Sequence, residues 1–453
     1  MFKPGDIKKN VLFGEDGWAF LWQGGQRQFD FLTGKSSASQ SSVDNLVANL
    51  KGRTEFCAAR NIPYLHVVFP SKPVTMTEYL PAEIRGQVQS LYERQYAGAI
   101  DAAMVESILY PRPTLLEEKA SCPVFSRQDT HMTETGNAIV SREILRRLGH
   151  RHDPLSCMEA EERDRLGDLA IMAGTRKPLP ERFLQTLQRT ERIWDNRPFL
   201  PSNTDNVTIA HNPRSASRRR LLALGDSFLW TCLTPLSTFY RDILYVRSDL
   251  FQPELVDLFG PDDIVSANAE RYLCKVRSDA EAESVVLGGY GRTNYHPSDS
   301  FVSALKAQLA YRPYLARYAE WASQVDAMCF DRIGAGEINN HLQFAKRDAS
   351  RLTSTGQDPQ IIFNNTPFKH DRRYQLKISM ESDVESVAQL FESSEEGYPF
   401  VENRSQTHRV MGGPNIFTFD LMPARRGKLL RFDPLKREGN IRNLSMELIE
   451  AAA

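Results

Sequence analysis

The sequence predicts an α/β domain, a mostly parallel sheet flanked by helices, followed by a C-terminal all-β sandwich. Three observations carry this. Through residues 1–335, short apolar strands alternate with amphipathic helical stretches, the pattern of a parallel sheet covered on both faces. At Leu221–Phe228 an apolar run stops abruptly in Gly225-Asp226-Ser227, which reads as buried strand, tight turn and helix start. From about Gln360 the apolar residues fall into period two, separated by Gly and Pro turns.

Taken in order, Val11–Trp22 holds Glu-Asp-Gly between two apolar runs, a hairpin signal. Val43, Leu46, Val47 and Leu50 have helical spacing, so Ser42–Arg60 is expected to be a helix. The β-branched and aromatic run in Pro63–Pro70 predicts a buried strand. Helices are expected over Pro81–Met104, Thr114–Lys119 (helix or turn) and Asn137–Leu148. Residues 151–219 read as an insertion, helical through Glu159–Arg192 and then rich in Pro, Asn and Ser. Strands follow at Leu221–Leu224 and Ile243–Val246, a helix at Gln252–Phe259, a strand at Ser284–Leu287 and one or two helices over Ser300–Ser323. The boundary is expected within 332–358, giving domains at 1–335 and 355–453. In the second, Ile361–Phe363, Arg373–Ser379, Asn415–Leu421, Lys428–Phe432 and Ile441–Ile449 are predicted strands.

Composition narrows the function classes. The 453 residues carry 56 Lys+Arg against 57 Asp+Glu, a balance that excludes a whole-protein basic surface and predicts no nucleic-acid partner. No apolar stretch reaches the length of a membrane span. The N-terminal lysines are not followed by an apolar signal core, so the expectation is a soluble cytoplasmic protein. The 6 cysteines are scattered singly, without metal-ligand spacing, and are expected to be reduced structural thiols. His150 and His152 lack a nearby carboxylate or thiolate set, and no metal is predicted. The 4 arginines in Arg214–Arg220 fit either a collector of anionic substrate or an ordinary solvated loop. Gly34-Lys35-Ser36 fails as a phosphate loop, since position 29 is Phe where the pattern needs Gly.

Ser227 would sit where open α/β sheets bind ligands, beyond the carboxyl end of a strand. A nucleophilic serine needs a base, and Asp129-Thr130-His131 supplies one with its orienting carboxylate. Thr130 and Thr133 suit the turn that brings both side chains together.

These blocks, taken collinearly, resemble the SGNH-hydrolase-like domain of the alginate O-acetylation proteins. Asp129-Thr-His-Met-Thr133 with Gly136 matches that family's D-T-H-W-T…G block, with Met132 in place of tryptophan, and Gly225-Asp-Ser-Phe228 matches its G-D-S-F block. Gly14–Leu21 is similar to its "DGWLFL" block and Phe69-Pro-Ser-Lys72…Tyr79-Leu-Pro81 to its "P-x-K…YLP" block. Val285–Asn294 is similar to a late strand-plus-Arg block, with Gly291 where an acidic residue is usual. The resemblance covers residues 8–325. It implies an SGNH-like fold, Asp129, His131 and Ser227 as catalytic residues, and Lys72 and Arg292 as substrate-binding residues. It implies O-acetyl transfer onto a polysaccharide or other glycan, with polysaccharide-biosynthesis proteins as further partners. No tightly bound cofactor is expected; the acyl donor would be acetyl-CoA or an acetylated carrier. A glycan acetyl-esterase of the same fold, and an inactive glycan-binding or scaffold protein, stay open as alternatives. The pattern in Leu430–Leu448 is similar to β-sandwich modules attached to polysaccharide-building enzymes, which implies that the second domain binds carbohydrate.

Overall fold

Strand β10 is Arg220–Leu224, buried at every residue, and it lies at the middle of the sheet that positions the site. A strand enclosed on both faces needs a continuous apolar run rather than alternation, which is why Leu221–Leu224 was legible. In chain order the strands of this part are β1 (Ile7–Lys8), β2 (Val11–Phe13), β3 (Ala19–Leu21), β4 (Tyr64–Phe69), β5 (Ile108–Leu109), β6 (Met158–Arg165), β7 (Leu179–Thr186), β8 (Arg192–Asp195), β9 (Val207–His211), β10, β11 (Asp242–Val246) and β12 (Asp263–Ala269). The computed structural model describes residues 3–451 except 176, 201, 203, 286–295, 310, 313–314, 346–347, 365, 367, 369–371, 394–399 and 422–428.

The chain divides into two compact units: Met1–Thr186 with Ile193–His211 and Ser215–Arg312, and Leu187–Arg192 with Asn212–Arg214 and Pro313–Ala453. The boundary therefore falls at 312/313, before the Leu315–Ala327 helix, and not within 332–358. The stretch expected to be a linker carries strands at Gly334–Ile338, Leu342–Ala345 and Asp348–Ser354.

The first unit holds a seven-stranded sheet in the order β5-β4-β12-β10-β11-β9-β8. β5, β4, β12, β10 and β11 run parallel, and β9 is antiparallel to β11. From β10 the chain crosses to β11 on one side and then to β12 on the other. That reversal makes the carboxyl end of β10 a topological switch point, where open α/β sheets form their ligand crevice. Ser227 follows β10 directly, opening the Ser227–Thr231 helix. The core on one face joins Leu65, Val67 and Phe69 of β4 to Leu221 and Ala223 of β10 and to Ile139, Ile144 and Leu145 of the Glu134–Arg147 helix.

The expected hairpin forms: β2 pairs with β3 in antiparallel register, with Val11 opposite Leu21. The Gln40–Ala58 helix is capped by Ser39, whose side chain accepts from the Ser42 amide. Three expectations are corrected. The stretch Pro81–Met104 is not one helix; it breaks into short turns on either side of Gly86 and Gly98. Glu159–Arg192 is not helical, because β6 and β7 pair as an antiparallel hairpin from Met158↔Thr186 to Arg165↔Leu179. Residues 151–219 are not a separate excursion either, since β9 is integral to the main sheet. The expected strand Ser284–Leu287 lies partly outside the described residues.

The last two arginines of the Arg214–Arg220 stretch are structural. Arg220 is fully buried, its guanidinium 2.6 Å from Asp242 Oδ2 and stacked on Phe259 and Tyr311 at 4.1 and 3.8 Å. Arg219 pairs with Asp263 at 2.8 Å. A buried arginine such as Arg220 is tolerated only when paired in this way.

The second unit contains one six-stranded and one five-stranded antiparallel sheet around its own apolar core. Alternation decides register here: Tyr374, Leu376, Ile378 and Met380 of Arg373–Ser382 point inward, as do Phe417, Phe419 and Leu421 of Gly413–Leu421. No helix among the described residues is long and apolar enough to cross a membrane.

Candidate active site

Three local devices bring Ser227, His131 and Asp129 together. The first is the turn after β10. Gly225 packs so closely under β12 that a Cβ would lie 2.9 Å from the Ala267 carbonyl oxygen. Asp226 accepts from the Phe228 amide at 2.9 Å and the Ala269 amide at 2.6 Å, tying the turn to the end of β12. The Tyr245 hydroxyl sits 3.0 Å from the carbonyl oxygens of both Gly225 and Asp226. Asp226 thus fixes the turn and does not face the histidine.

The second device is the loop 124–133. Thr133 caps the Glu134–Arg147 helix by accepting from the Gly136 amide at 3.0 Å. Phe125 bridges to Met132, and the Ser126 amide donates to the His131 carbonyl at 3.2 Å. Met132 is buried in the core beside this turn. The resulting turn sets Asp129 Oδ1 3.0 Å from the His131 amide and 2.8 Å from His131 Nδ1, while His131 Nε2 stands 2.9 Å from Ser227 Oγ. The Phe228 ring packs on the imidazole at 5.1 Å between centroids.

The third device was missed from the sequence. Arg165, the last residue of β6, donates to Asp129 Oδ2 at 3.2 Å, and the Asp168 amide reaches the same oxygen at 3.2 Å. In return Asp168 accepts from the Thr130 amide at 2.8 Å and the Thr130 hydroxyl at 2.6 Å. Burial alone would raise Asp129, but its hydrogen bonds from His131 and the nearby Arg165 charge outweigh that and hold the carboxyl below the usual range. Asp168 moves the other way, raised by burial and by the Asp129 charge against its bonds from Thr130. Gly167 makes this brace possible: a Cβ there would fall 2.1 Å from the Gln128 carbonyl oxygen. Gly167→Ala is therefore expected to destabilise the fold by about 3 kcal/mol through overpacking, seen as a lower denaturant midpoint.

Lys72 is brought close but not as a substrate ligand, which corrects the expectation for it. Its ammonium donates to the carbonyl oxygens of Ala19, Arg127 and Asp129 at 2.6, 3.1 and 2.9 Å, and it is buried beside the Trp18 and Phe20 rings. Burial pulls it down to about 7, against the Asp129 and Asp168 charges that favour the ammonium. All three protons are engaged, so Lys72 pins the Asp129 loop to β3. Lys72→Met should cost about 3 kcal/mol of stability, measured by chemical denaturation, because the Ala19 and Asp129 carbonyls lose the ammonium as donor in a buried setting and Arg127 keeps only the Ala19 amide. Arg292 lies outside the described residues.

Asp129, His131 and Asp168 form a group with spacing a metal ion could use. Their chemistry does not fit one: the Asp129 oxygens already accept four hydrogen bonds, and the Arg165 guanidinium stands where a cation would bind. A crevice of about 680 Å³ opens at the strand ends, lined by Gly225, Asp226, Arg247 and Asn268 among others.

Residues 11–198 match the family model of the SGNH hydrolase-like domain of acetyltransferase AlgX. The matched part of the AlgX-type domain contains Asp129, His131, Arg165 and Asp168, and it stops short of Ser227, which the fold brings to His131. A DHHW family protein from Eubacterium siraeum aligns at 13% identity over 61% of this chain and 95% of its own, with a TM-score of 0.45. The O-acetyltransferase domain of Pseudomonas putida AlgJ aligns at 18% identity over 62% and 98%, with a TM-score of 0.38. Pseudomonas aeruginosa AlgX aligns at 13% identity over 98% and 94%, with a TM-score of 0.38. No curated protein matches the chain.

Proposed function

We propose that this chain moves an acetyl group through Ser227 onto a hydroxyl of a carbohydrate. The observation that carries the proposal is the continuous run of hydrogen bonds from Ser227 Oγ to His131 Nε2 at 2.9 Å and from His131 Nδ1 to Asp129 at 2.8 Å. The AlgX-type family match supports acetyl as the group moved, and the motif blocks shared with the alginate O-acetylation proteins support a glycan acceptor.

Ser227 Oγ attacks the acyl carbonyl while His131 Nε2 takes its proton. His131 returns that proton to the departing group, leaving an acyl-serine. The Ser227 backbone N–H opens a helix and has no intrahelical acceptor, so it can face the oxyanion. A sugar hydroxyl then attacks the acyl-serine, gives its proton to His131, and Ser227 leaves with that proton. Water in place of the sugar turns the same steps into ester hydrolysis.

The test is covalent labelling. A serine-directed phosphonate should attach to Ser227, identified by peptide mass spectrometry, and should abolish acetyl release from an aryl acetate. A protein that turns over the ester while Ser227 stays unlabelled would contradict the reading.

A further inference from the structure

Arg271 stands two residues past the carboxyl end of β12, and β12 neighbours β10 on the side opposite β11. Its segment is held from two directions. Glu270 is fully buried and accepts from the Ser71 amide at 2.8 Å, the Ser90 hydroxyl at 2.6 Å, the Tyr92 amide at 3.1 Å and the Tyr110 hydroxyl at 3.2 Å. The Ala269 amide donates to Asp226, the residue before Ser227. The backbone that carries Arg271 is thus tied to the nucleophile turn.

The guanidinium is held by rings and not by acids. Its carbon lies 5.3 Å from the centroid of Phe228 and 4.9 Å from that of Tyr272. Phe228 follows Ser227 in sequence, and the same ring packs on the His131 imidazole at 5.1 Å. Arg271 also shares a small hollow with Phe228 and with Thr130, the residue before His131. One aromatic side chain therefore contacts both the guanidinium and the imidazole that serves Ser227.

What Arg271 lacks is an anion. Its polar side-chain contact among the described residues is Nη2 to the Tyr272 hydroxyl at 3.4 Å, beyond the usual hydrogen-bond range. No carboxylate among the described residues pairs with it, whereas Arg53, Arg165 and Arg219 each meet an aspartate. Arg271 is half-buried, so its charge is partly withdrawn from water without compensation. A planar fork of N–H groups set against two rings matches an oxyanion bidentately. Lys72, the other cation on that hollow, has its protons on main-chain carbonyls and cannot serve. Resting on the acyl-transfer reading above, we propose that Arg271 is a substrate-binding residue that receives an oxyanion, either the carboxylate of an acidic sugar or a phosphate of the acetyl donor.

The test is equilibrium binding to the full-length Ser227→Ala protein, which holds donors and acceptors without consuming them, with and without Arg271→Gln. Titration calorimetry compares uronate oligosaccharides with neutral hexose oligosaccharides, and acetyl-CoA with a neutral aryl acetate. One anionic ligand should bind at least about tenfold more tightly than its neutral counterpart, and Arg271→Gln should erase that margin, a weakening of about 10- to 100-fold. Arg271→Lys, a point charge without the planar fork, should restore only part of it. A margin confined to the uronates assigns the acceptor's carboxylate to Arg271, and one confined to acetyl-CoA assigns the donor's phosphate. A margin that survives Arg271→Gln, an equal loss for charged and neutral ligands, or no margin for either anion would overturn this inference and leave the Ser227 chemistry standing. Absence of acetyl turnover in the wild-type protein would overturn both.

Discussion

Ser227→Ala is expected to lower kcat/KM for an aryl acetate by about 10⁴-fold or more while leaving the melting temperature nearly unchanged. The size of the loss follows from what the hydroxyl does: without Oγ there is no acyl-serine, and only binding and any oxyanion contact remain. The stability forecast follows from the packing. Ser227 is half-buried at the first position of its helix, and the turn before it is held by Gly225, by Asp226 and by the Tyr245 hydroxyl, none of which involves the Ser227 side chain. Alanine suits a helix interior. Paired activity and thermal-denaturation measurements on the two proteins check this. A variant that keeps activity within tenfold of wild type would remove Ser227 as the nucleophile.

The two halves of the site were legible for different reasons. β10 is apolar at four consecutive positions and stops at a glycine, so its end announces itself. Asp129 and His131 are two residues apart, and their bond needs only a local turn. The brace behind them was not legible. β6 reads Met-Glu-Ala-Glu-Glu-Arg-Asp-Arg, rich in helix formers and without a β-branched residue. Its strand state comes from pairing with β7, where partner context overrides propensity. Arg165 and Asp168 were lost with it. β12 escaped notice because Ser266, Ala267, Asn268 and Ala269 are small and give little apolar signal, although the strand sits between β4 and β10. Lys72 misled in the opposite way. A lysine beside a motif reads as a ligand for substrate, but main-chain carbonyls from two distant segments, Ala19 and Arg127 with Asp129, converge on it, and nothing in the spacing foretells that.

Asp129→Asn should reduce kcat by about 10⁴-fold with the loop intact, and the reason lies in which atoms donate. Asp129 Oδ2 faces two donors, the Arg165 guanidinium and the Asp168 amide, both at 3.2 Å. Oδ1 faces the His131 amide at 3.0 Å and Nδ1 at 2.8 Å. An amide NH2 placed on the Oδ2 side meets a cation and a second N–H. Placed on the Oδ1 side, it meets one N–H and can donate to Nδ1. The second placement is the better one, and it moves the imidazole proton to Nε2, which can then no longer accept from Ser227. Arg165→Ala tests the same geometry more gently, with an expected loss of about 10- to 100-fold that Arg165→Lys partly restores. Its signature is in the pH profile. Arg165 helps keep the Asp129 carboxyl ionised, so that contribution to stability is present above the ordinary carboxylate pKa and is lost as pH falls through the depressed folded value. Without Arg165 the Asp129 carboxyl takes up its proton at higher pH, and the acid limb of kcat/KM moves up with it. A lower rate with an unmoved acid limb would reduce Arg165 to a packing residue of β6, and full activity in Asp129→Asn would break the assignment of His131 as the base.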